Sequence, residues 1–322
     1  MKIALLVNRE SFDKYSKTLP DGWEGIHLGN GVPDADALAA TGAEAMVVDA
    51  MTKIDADIIG RMPKLKLIHS QGVAYNGIDT AAADAAGVYV CNNAGVNDRA
   101  VAEQAILLIL ALLKNFRSNE DAVYAGRQIE TKTAYFMGGI TELGSCHVGV
   151  VGMGAIGRAL AERLAAFGCR LSYFNRTQKP DCGVPYLPLE ELYAECDVVS
   201  LHVPVSPETE NMVNAETLKK FKRGAILVNT ARGELMDHEA VVAALVSGQL
   251  GGLAADTLAP EPVLLDNPVI ASLPVELRSR VALSPHVGGI TADCFIRSFE
   301  HIWENIAALE RGERPDCVVN KV

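Results

Sequence analysis

Short apolar runs alternate with helical stretches along most of this chain, a pattern that predicts parallel sheets covered by helices. In the N-terminal third the predicted strands are Lys2–Val7, Ala45–Asp49, Leu65–His69 and Val88–Cys91. A helix over Asp79–Ala86 is closed by Gly87, a common helix C-terminal signal. A long helix begins near Asp98, which is suited to cap it, and carries Val101, Ala105, Leu108 and Leu112 among apolar residues nearly all round. A helix apolar on every side is a buried one, here expected between domains or subunits.

From Cys146 the alternation sharpens. Predicted strands are His147–Val151, Arg170–Phe174, Val198–Val203, Ala225–Asn229, Gly252–Ala255 and Val281–Ser284. Helices over Ala155–Phe167, Ala215–Phe221 and His238–Ser247 lie between them, which predicts a doubly wound, nucleotide-binding sheet. After Gly288 and Gly289 comes one more helix, from about Ala292 to Arg311, which that sheet could take only with an extra layer. It is expected to return to the first domain and make that domain discontinuous. The chain shows no internal repeats or low-complexity segments.

At 322 residues and 49% hydrophobic content the chain is too long for one ordinary core and suits two domains. The net charge of −11 and the lack of a basic stripe argue against a nucleic-acid partner. Seven cysteines are scattered without a Cys-x-x-Cys pair, so reduced thiols are expected, with no metal site and no redox role. The first apolar run is too short for a signal peptide. The longest one, Ala100 to Leu113, contains Glu103 and Gln104 and is too short to span a bilayer. A cytoplasmic protein with no membrane partner is the expectation.

The clearest chemistry is Gly152-Met153-Gly154-Ala155-Ile156-Gly157, which leaves a strand and opens a helix. The first Gly makes the turn, the second lets the backbone approach a pyrophosphate, and the third packs helix on strand. The next strand runs out into Asn175-Arg176-Thr177, where an NAD site usually carries an acidic residue for the ribose. Asn175 does not repel a 2′-phosphate, Arg176 can pair with one, and Thr177 can donate to it. NADP(H) is therefore favoured, with NAD(H) as the alternative if Arg176 is only a solvated side chain and Asn175 bonds the ribose.

Three further segments end successive predicted strands and hold Arg232, Glu261 and His286. Ligands of open α/β sheets bind beyond the carboxyl ends of strands, so the three could converge. Arg232 can bind a carboxylate with its planar fork and polarise an adjacent ketone. Hydride arriving at the ketone carbon builds charge on oxygen, and His286 can supply the proton as general acid. Glu261, bonded to the other ring nitrogen, would orient the imidazole. Taken singly, each residue is as well read as a surface ion-pair partner or a turn cap.

These segments, with Leu201-His202-Val203-Pro204, Pro207-Glu208-Thr209, Gly72-Val73-Ala74-Tyr75-Asn76-Gly77-Ile78-Asp79, and Asn97 followed by Val101-Ala102-Glu103, resemble the D-isomer-specific 2-hydroxyacid dehydrogenases over nearly the whole chain. The resemblance implies an α/β fold of two doubly wound parallel-sheet domains with a cleft between. One is a flavodoxin-like substrate domain over residues 1–97 plus 288–322. The other is a Rossmann cofactor domain over 98–287. It implies catalytic roles for Arg232, Glu261 and His286. The backbone N–H groups at Val73 and Ala74 would meet the substrate carboxylate, and Asn97 would lie near hinge and cleft. His202, Val203 and Pro204 would line the adenosine pocket, with Thr209 and Ala231 also among the cofactor-binding residues. Asp256 would bond the nicotinamide carboxamide. A homodimer built through the region after Asn97 is implied as well.

Ala74 stands where many members of the family have Gly, which narrows the substrate loop. Glu261 argues against formate dehydrogenase activity, where a Gln pairs the His. The extra regulatory domain of many phosphoglycerate dehydrogenases is not recognised, so feedback-controlled serine synthesis is the less expected role. Glyoxylate or hydroxypyruvate would suit an NADP-dependent member, and larger 2-oxo acids stay open. Phe12, Tyr15 and Tyr75 are candidates for sizing the pocket, and equally for core or surface. The alternative function is a nicotinamide-sensing protein like the related corepressors, which keep the catalytic residues.

Overall fold

The computed structural model describes every residue except Lys17, Val32, Ala50 and Met51. The chain forms two compact units, Met1–Asn97 with Ile290–Val322, and Asp98–Gly289.

The first unit runs β1 (Lys2–Leu6), α1 (Arg9–Tyr15), β2 (Glu24–His27), α2 (Ala35–Thr41), β3 (Ala45–Val48), α3 (Ala56–Gly60), β4 (Leu67–Ser70), α4 (Thr80–Ala86) and β5 (Tyr89–Cys91). The five strands are parallel in the order β2-β1-β3-β4-β5, the flavodoxin-like arrangement. Side chains alternate across β1. Ala4 and Leu6 pack with Leu38, Ile58, Ile59 and Ala83 on one face. Ile3, Leu5 and Val7 meet Phe299, Ile302, Trp303 and Ile306 on the other. Those four belong to the last helix, Ala292–Glu310, and their 3–4 residue spacing forms one stripe. Both faces are thereby covered. Gly87 ends α4 at φ +67°, where a Cβ would be costly.

β2 has no counterpart among the predicted strands. It is a four-residue edge strand containing Gly25, with no buried position, so it lacks the apolar run that marks its neighbours.

The second unit runs α5 (Asp98–Leu113), α6 (Phe116–Tyr124), α7 (Gln128–Ala134), β6 (His147–Val151), α8 (Ala155–Ala165), β7 (Arg170–Phe174), α9 (Leu189–Glu195), β8 (Val198–Leu201), α10 (Ala215–Leu218), β9 (Ala225–Asn229), α11 (His238–Ser247), β10 (Leu250–Ala255), α12 (Pro268–Ala271) and β11 (Val281–Leu283). Its strands are parallel in the order β7-β6-β8-β9-β10-β11. A single parallel bridge, Tyr173 to Tyr186, adds one more position beyond β7. Counted as the third strand, it gives the Rossmann order 3-2-1-4-5-6 with one strand added. The winding then reverses between β6 and β8.

α5 lies on this sheet rather than apart from it. Its Ala105, Ile109 and Leu112 share a core with Val148, Val150, Leu160, Ile226 and Ala254. Leu107 is left exposed. Asp98, expected as the cap, instead stands inside the first turn, and its carboxylate accepts the Arg99 N–H at 2.6 Å. β8 stops at Leu201, two residues short of the predicted end, and His202-Val203-Pro204 forms the loop beyond it. Gly288 and Gly289 group with the second unit, because the Gly288 N–H donates to Asp256 at 2.8 Å.

Candidate active site

The glycine loop after β6 is shaped by close backbone approaches. Gly152 has φ +101°, and a Cβ there would lie 2.4 Å from the His202 carbonyl oxygen. A Cβ on Gly157 would lie 2.1 Å from the Gly152 carbonyl oxygen. Neither position admits a side chain. Gly154 differs: a Cβ would meet nothing within 4 Å, so the loop opens to a ligand there. Gly154 caps α8 without a side chain, and the N–H groups of Ala155 and Ile156 have no partner among the described residues.

Asn175 has a role its neutrality alone does not suggest. Its side-chain oxygen accepts the Met153 N–H at 3.1 Å, and its nitrogen donates to the Thr177 carbonyl at 2.7 Å. It braces the glycine loop. Arg176 and Thr177 are exposed, and Arg176 makes no ion pair among the described residues. Thr209 is likewise occupied, its hydroxyl donating to the Pro204 carbonyl at 2.7 Å and accepting the Ser206 N–H at 2.8 Å.

A row of unpartnered polar atoms follows the carboxyl edge of the sheet. His202 Nδ1, Thr230 Oγ1 and Thr257 Oγ1 follow β8, β9 and β10, are buried, and have no hydrogen-bond partner among the described residues. Leaving one such atom unsatisfied costs about 1–3 kcal/mol. His202 Nε2 meets the Ser200 hydroxyl at 2.8 Å, and burial pushes the ring pKa down to about 4, so it is neutral. An open glycine loop, unpaired helix N–H groups and orphaned donors and acceptors at the strand ends together fit a dinucleotide.

The three strand-end segments are tied together. Asn229, fully buried, accepts the Ala231 N–H at 3.1 Å and donates to the Arg232 carbonyl at 2.8 Å, which fixes the turn carrying Arg232. The half-buried Arg232 guanidinium donates to the Ala231 carbonyl at 2.7 Å and has no carboxylate partner among the described residues. Gly233 abuts the next segment, where a Cβ would stand 2.2 Å from the Ala259 nitrogen. Asp256 holds the third segment: its carbonyl accepts the His286 N–H at 2.8 Å. Its carboxylate accepts from the Ser284 hydroxyl, from Val287 N–H at 3.1 Å and from Gly288 N–H at 2.8 Å. One carboxylate lone pair is left for any other donor.

His286 Nδ1 lies 2.8 and 3.0 Å from the two Glu261 oxygens. An ionised carboxylate only accepts, so Nδ1 carries the hydrogen. Nε2 has no partner among the described residues. This leaves one oriented imidazole with a nitrogen available for proton transfer.

In the first unit, the loop after β4 has the carbonyls of Val73 and Ala74 engaged. Ser70 Oγ donates to the Ala74 carbonyl at 2.7 Å, and Asn92 Nδ2 to the Val73 carbonyl at 2.7 Å. The N–H groups of Val73 and Ala74 have no partner among the described residues. Asn97 is the last residue of this stretch of the unit. Phe12 is core, edge-on to Phe299 and Trp303. Tyr15 stacks on Phe295, and Tyr75 packs against the core edge.

Of the supporting residues, Asn229 and Ser284 stand at the ends of predicted strands and open the segments that hold Arg232 and His286, while Ser70, Asn92 and Gln104 carry no motif. Gln104 leaves a signal only as a polar position inside the apolar run of α5.

Residues 106–288 match the family model described as D-isomer specific 2-hydroxyacid dehydrogenase, NAD binding domain. The chain is 35% identical over 294 residues to a glyoxylate reductase of Korarchaeum cryptofilum, covering 90% of this chain and 84% of that one. It is 34% identical over 286 residues to a glyoxylate reductase of Thermococcus litoralis, covering 86% and 84%. The D-lactate dehydrogenase structure from Escherichia coli superposes with a TM-score of 0.76 at 26% identity, over 99% of this chain and 100% of that one. No helix among the described residues is long and apolar enough to cross a membrane. This chain belongs to the D-isomer specific 2-hydroxyacid dehydrogenase family and is an NAD(P)-dependent oxidoreductase.

Proposed function

We propose that the chain reduces a small 2-oxo acid to its 2-hydroxy acid, with NADP(H) preferred and glyoxylate or hydroxypyruvate as the size class. The observation that carries this is the pairing of His286 Nδ1 with both oxygens of Glu261. Glu261 fixes one ring nitrogen, and Nε2 hands a proton to the ketone oxygen as its charge builds, taking it back in oxidation. Arg232, unpaired by any described carboxylate, binds the substrate and polarises the ketone. The unpartnered Val73 and Ala74 N–H groups are the first unit's own donors for an anionic group. Ala74, where the motif usually has Gly, favours a short acid.

The glycine loop and the first amides of α8 hold the pyrophosphate, and Arg176 with Thr177 takes the 2′-phosphate. Asp256 offers its remaining lone pair to the carboxamide. The nicotinamide, when bound, supplies the hydride for reduction and accepts it in oxidation. The glyoxylate reductases of Korarchaeum and Thermococcus support the substrate class.

Initial rates with a panel of small 2-oxo acids, run with NADPH and NADH in parallel, test the reading. Fast turnover of a two- or three-carbon acid with NADPH is expected. No turnover of any acid by a protein that binds the cofactor would move the weight to a cofactor-sensing role.

A homodimer is part of the same reading. Phe116, Val123, Tyr124, Ile129, Phe136 and Met137, on and just after α6 and α7, are exposed, an apolar surface that a second copy would cover. Sedimentation of the purified chain tests this, and a monomer mass would refute it.

A further inference from the structure

His286 is held from behind by a relay of side chains drawn from distant parts of the second unit. Its backbone has φ +54°, a region that residues other than glycine seldom occupy. Asp256 keeps the loop there, through its carbonyl to the His286 N–H and its carboxylate to Ser284, Val287 and Gly288. Gln104, on α5, reaches the Ser284 oxygen at 2.8 Å.

The direction of this relay is fixed by counting hydrogens. Ser284 has one hydroxyl hydrogen, and an ionised Asp256 can only accept it. The Ser284 oxygen therefore accepts from Gln104, which sets Nε2 and not Oε1 against it. Amide donates to hydroxyl, and hydroxyl to carboxylate. Gly288 leaves room for this: a Cβ there would stand 2.9 Å from Asp256 Oδ2 and 3.3 Å from Gln104 Cγ.

We propose that Gln104 is a positioning residue for hydride transfer, setting through Ser284 and Asp256 the conformation of the loop that presents His286. This rests on the reading of His286 as the general acid. Gln104→Glu keeps the shape but, ionised, only accepts, so the Ser284 hydrogen is drawn away from Asp256 and two carboxylates flank one hydroxyl. Gln104→Leu removes the donor and leaves the Ser284–Asp256 bond intact.

The experiment is steady-state kinetics with NADPH and the fastest acid of the panel, with thermal unfolding of each variant to correct for folded fraction. Gln104→Glu should lose about tenfold to a hundredfold in kcat, and Gln104→Leu less than about tenfold, with KM for NADPH nearly unchanged. A merely structural role predicts losses that track the unfolding temperature, and that result, or equal kcat in both variants, overturns the proposal. A second pair guards against misfolding: Ser284→Thr keeps the hydroxyl and Ser284→Ala removes it. The Thr variant should exceed the Ala variant by about tenfold in kcat, and equal values overturn the relay. His286→Gln is run alongside. If it keeps turnover, the reading of His286 itself fails. If it is inactive while the Gln104 and Ser284 variants behave as wild type, only the relay fails.

Discussion

Glu261 engages the His286 Nδ1–H with both of its oxygens, so one residue decides which ring nitrogen stays without a partner among the described residues. Glu261→Gln keeps an acceptor but loses the charge and the second contact. We expect kcat to fall by about tenfold to a hundredfold, and His286→Gln to lose about a hundredfold to ten-thousandfold. Cofactor affinity, read by quenching of intrinsic fluorescence, should hold in both. Unchanged kcat in His286→Gln would remove the proposed acid.

Arg176 is exposed and unpaired by any described carboxylate, while its neighbour Asn175 is committed to the Met153 amide. The two residues can therefore be separated by mutation. Arg176→Ala should lower kcat/KM for NADPH by about tenfold to a hundredfold and leave NADH within a few-fold. Asn175→Ala should weaken both cofactors, because it loosens the shared glycine loop. Equal losses for the two cofactors in Arg176→Ala would refute the 2′-phosphate role.

Two histidines with rings shut away from solvent, His69 buried and His202 half-buried, make stability depend on pH. Burial pushes His69 down to about 3 and His202 down to about 4, against 6.5 for the free side chain. The unfolded chain then binds protons the folded chain refuses. Stability present above the unfolded pKa is lost as pH falls from about 6.5 toward 4, by at most about 1.4 kcal/mol per pH unit for each histidine. Urea midpoints at pH 7 and pH 5 check this, and the lower midpoint belongs at pH 5. His202→Gln should flatten the slope, and an unaltered slope would show that His202 is not one of its sources.

Gly233 fills a gap with no room for a methyl group, facing the backbone of Leu258 and Ala259. Gly233→Ala must push apart the turns that carry Arg232 and Glu261. We expect kcat/KM for the 2-oxo acid to fall by more than about tenfold, with cofactor affinity less affected. Full activity in this variant would mean that the two turns need not stay in register.

The doubly wound plan was legible because buried parallel strands read as apolar runs and their turns as glycines. β6, β7 and β9 fall at their predicted limits. Glu24–His27 was not legible, since an exposed edge strand lacks that run. Arg232, Glu261 and His286 could be singled out because each lies in a segment that follows a predicted strand. What the sequence hides is the support behind them. Gln104, Asp256 and Ser284 meet only in three dimensions, and Asn175 shows its neutrality in sequence but not its grip on Met153.

The last helix completes the first sheet with residues made some two hundred positions after β5. During synthesis the second unit, continuous in the chain, can finish folding while Ile3, Leu5 and Val7 still lack their cover. A ribosome that stalls before Phe299 would release a chain with a folded cofactor unit and an open, apolar sheet face. Such a product is a natural target for chaperones and proteases, so quality control of this protein should turn on the helix Ala292–Glu310.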